Sequence, residues 1–525
     1  MKTFFSLMVL FFALATHAQN NCSALLPMPN RIEHTQGKSF ILVPGKTAIY
    51  TNNEELQFAA STLQTMLKER MQADVPLHSS AKSTIRLLID PAIQGREHYI
   101  INVDARGMTI SGSTPAAVYY GVMTVDQLLL GDVCSTNSQQ IAAIRIDDTP
   151  RFEYRALMID PARHFFPVED VKFYIDQMAR YKYNVLQIHL TDDQGWRVEI
   201  KKHPRLTTGS EYYTQEQLAD LIRYAAQRHI EIVPELDIPG HTVAVLTAYP
   251  ELGCTHTDTI EKNVGTTVDL MLCAANEKVY SVYKDIIDEV SALFPSRYIH
   301  LGGDEAVIEK NWTKCTRCQA MMKENHYTKA SQLMIPFFDR MLDFVRKDGR
   351  EPILWCELDN IRVPAHDYLF PYPKDVTLVS WRGGLTPTCL DLTAKHGNKI
   401  ILAPGEYAYL DYPQLKGDLP EFNNWGMPVT TLKKCYEFDP GYGKSITEQS
   451  HIQGVMGTLW AEAMKDINRV TYMTYPRGLA LAEAGWTQME HRNWESFKER
   501  MYPNLGDLMK RGVSVRIPFE IVVRK

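Results

Sequence analysis

What this 525-residue chain has little of narrows it first. It carries no excess of positive charge: 56 Lys and Arg stand against 62 Asp and Glu, a formal net charge of −6. Proteins that grip a phosphate backbone usually carry a basic stripe, so no nucleic-acid partner is expected. Beyond the N-terminus no uncharged apolar run approaches the roughly 18 residues of a membrane-spanning helix. No short-period repeat or low-complexity stretch is present, which sets aside solenoids, collagen and coiled coils. There is one C-x-x-C, Cys315 and Cys318, and no second such pair or His pair at zinc-finger spacing. The expectation there is a local disulfide or two thiols, with no metal and no cofactor. The nine cysteines are an odd number, so at least one is unpaired within the chain. Cys254 and Cys273 flank a polar loop that a disulfide could close.

What is present is ordinary globular composition, 45% hydrophobic and 22% charged, with enough chain for about two to four domains. Residues 1–18 read as an export signal. Lys2 is followed by the apolar run from Phe4 to Leu14, and Thr16-His17-Ala18 ends in a small residue of the kind signal peptidase prefers. A mature chain starting near Gln19 would be secreted, periplasmic or extracellular, or would enter a lysosome-like compartment in a eukaryote, with no membrane attachment after cleavage. Asn21-Cys22-Ser23 and Asn311-Trp312-Thr313 fit the N-glycosylation pattern.

Residues 19–150 mix short β-branched runs (40–43, 84–89, 99–103, 108–112) with helical patterns at 54–71 and 116–130. They predict a small α+β domain with helices on one face of a sheet. From residue 151 to about 505 the pattern changes to short apolar runs separated by longer amphipathic stretches. The runs lie at 154–159, 184–190, 230–235, 297–301, 352–356, 376–381, 399–403 and 454–459. Eight such runs, several followed by helical patterns (171–181, 215–228, 277–294, 327–347), predict a (β/α)8 TIM barrel. Residues 506–525 are expected to form a tail packed on it.

Active sites of such barrels lie at the C-terminal ends of the strands, and polar or aromatic residues stand there nearly every time. Strand 1 has Arg155 near its start and ends in Asp160, with Arg163 and His164 beyond. Strand 2 runs into HLTDDQGWR (His189 to Arg197), strand 3 into VPELDIPGH (Val233 to His241) and strand 4 into HLGGDE (His300 to Glu305). Trp355 and Glu357 follow strand 5, Trp381 and Arg382 strand 6, YLDY (Tyr409 to Tyr412) strand 7, and Trp460 and Glu462 strand 8. A single carboxylate at a strand end is often a helix cap or half of an ion pair. Many acids and three tryptophans converging on one mouth are better explained by a carbohydrate cleft, where sugar faces stack on indoles and hydroxyls bond to carboxylates. The two glycines of Gly302-Gly303-Asp304-Glu305 would let the backbone approach a ligand. Adjacent acids repel, so at least one is expected to have a raised pKa suited to a general acid. Trp425 in the loop between strands 7 and 8 is a fourth stacking candidate. Trp312, Trp486 and Trp494 fall on or near helices and read as structural, and Trp196 could equally be core.

The chain resembles the β-N-acetylhexosaminidases of glycoside hydrolase family 20. The motifs that carry the resemblance are RALMIDPARHFFPVEDVKFYID, NVLQIHLTDDQGWRVEI, VPELDIPGH, HLGGDE, SWRGG, YLDY and LWAE, in this order from about Arg155 to Trp486. The resemblance implies an exo-acting hydrolase in which the substrate's own 2-acetamido oxygen attacks the anomeric carbon, an exception to the two-carboxylate scheme. It makes Glu305 the general acid and base, Asp304 the partner of the acetamido N–H, and Tyr409 the donor to the acetamido oxygen. Trp355, Trp381 and Trp460 would wall the pocket, with Trp425 closing it. Arg155, Asp411 and Glu462 would bind sugar hydroxyls, and Asp192 and His241 would support the acid. The implied partner is a glycan ending in β-linked N-acetylhexosamine, GlcNAc and possibly GalNAc. The oligomeric state stays open.

Overall fold

The protein, described by a computed structural model, is defined over residues 24–522 except 36, 44, 72–73, 81, 131–138, 255–269, 359–367 and 419–426. The export-signal segment, Asn21 and Trp425 lie outside these residues.

The first unit has eight strands: β1 (Ile32–His34), β2 (Phe40–Leu42), β3 (Ile49–Thr51), β4 (Ile85–Ile89), β5 (Tyr99–Asp104), β6 (Gly107–Gly112), β7 (Gln139–Ile141) and β8 (Ile144–Asp148). Six form one sheet in the order β1-β8-β5-β6-β4-β3, and β2 pairs with β7. The helices Gln57–Met71 and Pro115–Leu130 pack on this sheet and on each other. The second helix is buried from Ala117 to Leu129, as a helix apolar all round must be.

The eight apolar runs of the second unit become eight parallel strands: β9 (Tyr154–Ile159), β10 (Val185–His189), β11 (Glu231–Ile238), β12 (Tyr298–Gly302), β13 (Glu351–Trp355), β14 (Thr377–Ser380), β15 (Ile400–Leu402) and β16 (Ile452–Leu459). They close into a barrel, with β16 pairing back to β9. This is the expected TIM-type α/β architecture after a smaller α+β domain. The strands read as unbroken apolar runs because both faces are covered. Inside the barrel, Ala156, Met158, Val185, Val233, Ile353, Val379, Ile401 and Met456 form a packed core, and Trp355, Trp381 and Trp460 lie against its upper end.

The expected boundary at residue 505 falls within a continuous helix, Trp494–Lys510. Its buried Phe497, Met501, Leu505 and Leu508 recur at helical spacing. Asn311 is buried and donates to the Val307 carbonyl (3.0 Å), so its glycosylation pattern does not present an acceptor at the surface. Trp196, Trp312 and Trp486 are buried. Among the described residues no helix is long and apolar enough to cross a membrane.

Candidate active site

Two turns set the geometry. After β11 the chain reaches His241 at φ 53°, and after β12 it reaches Glu305 at φ 46°. Left-handed backbone in residues that are not glycine is strained and concentrates at functional sites. Between them, Gly302 (φ +64°) and Gly303 (φ +101°) let the β12 end pass close to Asp237: a Cβ on Gly302 would stand 1.7 Å from Asp237 Oδ1. Gly303 N–H donates to that same oxygen at 3.2 Å. The space expected for a ligand beside Gly302 is thus taken by the Asp237 carboxylate of the neighbouring strand, and a Cβ on Gly303 would meet Phe338 and Leu354.

Asp304 and Glu305 leave this turn in unlike surroundings. Asp304 is buried, and its Oδ1 has no hydrogen-bond partner in the protein. Burial raises the Asp304 pKa, His241 opposes the rise and Glu305 reinforces it. Glu305 has a half-exposed side chain, with His241 Nε2 at 3.6 Å and Arg382 Nη2 at 3.5 Å. Its pKa is lowered, by its bond to His241 first and then, against partial burial, by the charges of His241 and Arg382. The raised acid of the pair is therefore Asp304.

His241 is held from behind. Its Nδ1 lies 3.2 Å from Asp192 Oδ1, and although burial disfavours the imidazolium, Asp192 and Glu305 keep its pKa well above the usual value. Asp192 also accepts from His189 Nε2 at 2.6 Å and Arg163 Nη1 at 2.8 Å. Despite burial, Arg163 and His241 hold its pKa well below the carboxylate range. Asp193 accepts from Val243 N–H at 3.1 Å at the start of a short helix. Glu235 sits beneath the mouth and accepts from Trp355 Nε1 (2.8 Å) and Gln187 Nε2 (2.8 Å), with His189 Nδ1 at 3.0 Å. Both acids position other groups. His164 bonds through Nδ1 to the Ala461 carbonyl, and His300 Nδ1 accepts from Gly302 N–H.

The three indoles form one wall. Trp355 lies 5.9 Å from Trp460 and 6.4 Å from Trp381, ring centre to ring centre. Tyr409, bridged to Thr458 of β16, and Asp411 are both buried, and Asp411 Oδ1 accepts from the Trp460 backbone N–H at 3.5 Å. Arg163 stacks over Trp460 at 4.9 Å. Its charge is opposed by Asp192, Asp160 and Glu462.

Arg155 is not at this mouth. As the second residue of β9 it sits at the opposite end of the barrel, where its guanidinium forks onto Glu97 of the first unit (2.7 and 3.0 Å) and stacks on Trp486. The arginine that β9 delivers to the mouth is Arg163, anchored by Asp160 (3.2 Å). A second residue outside the expected set is Arg382, which joins Glu305 to Glu357 (3.3 Å). Burial lifts the Glu357 carboxyl to about 7 against the pull of Arg382. Position after a strand end identifies both arginines.

Several His nitrogens and carboxylate oxygens at the mouth lie close enough to share an ion, among them those of Asp237, His241 and Asp304. The cluster is instead organised by internal cations: Arg163, Arg382 and the His241 imidazolium. A separate group is made of Cys254, Cys273, Cys315 and Cys318.

Against known proteins, "Glycosyl hydrolase family 20, catalytic domain" matches residues 152–489 and "domain 2" of that family matches 23–149. The chain belongs to glycosyl hydrolase family 20. Its enzyme class is that of the β-N-acetylhexosaminidases. A β-hexosaminidase of Akkermansia muciniphila is 35% identical over 83% of this chain and 89% of its own. The family-20 exo-β-N-acetylglucosaminidase of Vibrio harveyi, solved with N-acetylglucosamine, superposes with a TM-score of 0.83 at 31% identity, over 95% of this chain and 79% of that one. The family-20 β-N-acetylhexosaminidase of Streptomyces coelicolor gives 0.83 at 28% identity, over 95% and 98%.

Proposed function

We propose that this family-20 enzyme releases single terminal β-linked N-acetylhexosamine units from the non-reducing ends of glycans, by substrate-assisted catalysis with retention. The observation that carries the reading is the buried Asp304 Oδ1, an acceptor without a partner beside the more exposed Glu305 and the tryptophan wall. A buried carboxylate oxygen left unpaired is costly, and an acetamido N–H from the sugar would satisfy it.

In the first step the acetamido oxygen bonds to the anomeric carbon. The glycosidic C–O bond breaks, and Glu305 gives its proton to the departing oxygen. The free enzyme holds Glu305 ionised beside His241 and Arg382, so substrate covering the carboxylate would displace water and favour its protonated form. Asp304 balances the charge that develops on the acetamido nitrogen, and Tyr409 orients the attacking oxygen. In the second step Glu305 takes a proton from water as that water attacks the anomeric carbon, the oxazolinium ring opens, and the β-configuration returns. The indoles exclude water from the reactive ion. Arg163, Asp411 and Glu462 are the hydroxyl-binding candidates, with Arg163 taking the place expected of Arg155. We further propose export of the chain through residues 1–18.

Hydrolysis of p-nitrophenyl β-GlcNAc and β-GalNAc beside the β-glucoside, with and without GlcNAc-thiazoline, tests this. Turnover restricted to acetamido sugars and blocked by the thiazoline is expected. Glucoside cleavage at a similar rate, or no cleavage of any substrate, would contradict it.

A further inference from the structure

Cys254, Cys273, Cys315 and Cys318 come from two loops far apart in the chain and meet at one point. Cys254 and Cys273 belong to the segment that follows His241, on either side of residues 255–269. Cys315 caps the helix Thr316–Glu324, and Cys318 lies in its first turn, downstream of Glu305. All four Sγ atoms lie within 4.8 Å of one another. Three separations are resolved: Cys254 to Cys318 at 3.8 Å, Cys273 to Cys315 at 3.8 Å and Cys273 to Cys318 at 3.7 Å. None of these cysteines is disulfide-bonded, and all but Cys254 are buried.

Those distances have a specific meaning. A tetrahedron of thiolates with Zn–S bonds of about 2.3 Å has edges of about 3.8 Å. Joining the cysteines in pairs would instead bring two sulfurs to about 2.05 Å and leave the pairs free to separate. The chain around the sulfurs is itself tied down. Arg317 donates to the Gly253 carbonyl (2.9 Å), and Cys273 N–H donates to the Leu252 carbonyl (2.9 Å). The spacing is not that of a zinc finger, because Cys254 and Cys273 stand 19 positions apart in the sequence. The sequence therefore hides a site that the fold assembles.

We propose that these four cysteines form a structural Zn²⁺ site that pins the loop after β11 to the loop after β12. On binding, the thiols lose their protons to solvent and the four thiolates fill the ion's coordination, leaving no open position for substrate or water. The two joined loops carry His241 on one side and Asp304 and Glu305 on the other. Trp312, which donates to the Leu272 carbonyl at 2.8 Å, ties them again beside the cluster. The ion would hold the acid and its histidine in register without taking part in the chemistry.

The test is zinc stoichiometry on the full chain. It is purified without chelator, then measured again after reduction and dialysis against excess zinc. About one Zn²⁺ per chain, lost in the Cys315→Ser/Cys318→Ser double variant, is expected. Should that variant not fold, zinc X-ray absorption of the unmodified chain serves instead, with four sulfur neighbours at about 2.3 Å expected. Nitrogen or oxygen neighbours would overturn the proposal. So would the absence of stoichiometric zinc from both preparations, whether the denatured chain then shows these four thiols free or joined as disulfides.

Discussion

At the scale of single residues, the site separates two neighbouring acids by environment. Asp304 is buried with an open acceptor, and Glu305 faces outward between His241 and Arg382. Glu305→Gln should therefore lower turnover by about 10²–10⁴-fold on poorly activated leaving groups and much less on p-nitrophenol, because only the former need a proton. Asp304→Asn should slow all leaving groups alike, by about 10²–10³-fold. Equal losses across leaving groups in the Glu305 variant, measured on a series of aryl glycosides, would remove its acid role. The His241 imidazolium, kept charged by Asp192, lowers the Glu305 pKa. Replacing it by a neutral group must then raise that pKa. The carboxyl infrared band that vanishes in Glu305→Gln should titrate at higher pH in His241→Gln, and an unchanged or lower midpoint would contradict this assignment. Sequence identified the Asp304–Glu305 pair but placed the raised pKa by repulsion alone. The asymmetry comes from the burial of Asp304 and from His241 and Arg382 beside Glu305, which other strands bring in and which the HLGGDE segment by itself does not show.

At the scale of elements, the eight strands were legible because a parallel barrel buries both strand faces and leaves apolar runs with polar ends. The short strands β1, β3, β7 and β8 were not, since three to five residues carry little periodicity. The misplacement of Arg155 was avoidable from the strand pattern itself. A second residue in a six-residue strand lies at the wrong end of the barrel, whereas Arg163, just beyond the strand, lies at the right one. The β12 turn makes its own prediction. Gly302→Ala puts a Cβ against Asp237 and forces a left-handed conformation that alone costs about 1–2 kcal/mol. A lower denaturation midpoint and loss of turnover are expected together, and wild-type values in both would show that the turn tolerates what its geometry forbids.

At the scale of the whole molecule, the first unit is fastened to the closed end of the barrel, away from the chemistry. Arg155 bridges Glu97, the Phe152 and Lys182 carbonyls and Trp486, and the helix Trp494–Lys510 adds Asp507 to Arg70 of the first unit at 3.1 Å. Removing one partner of a buried pair costs about 3–5 kcal/mol. Arg155→Ala should thus lower stability in urea by that order while the folded fraction keeps its KM; a raised KM at unchanged stability would return Arg155 to the sugar site. The central claim is that the substrate supplies its own nucleophile. The most direct measurement is kcat/KM for p-nitrophenyl β-glucosaminides whose N-acetyl group carries zero, one, two or three fluorines. Fluorine drains the acetamido oxygen of electron density, so attack by that oxygen predicts a steep fall at each step. A flat series would mean that a carboxylate of the enzyme attacks the sugar, and the proposed mechanism would be wrong.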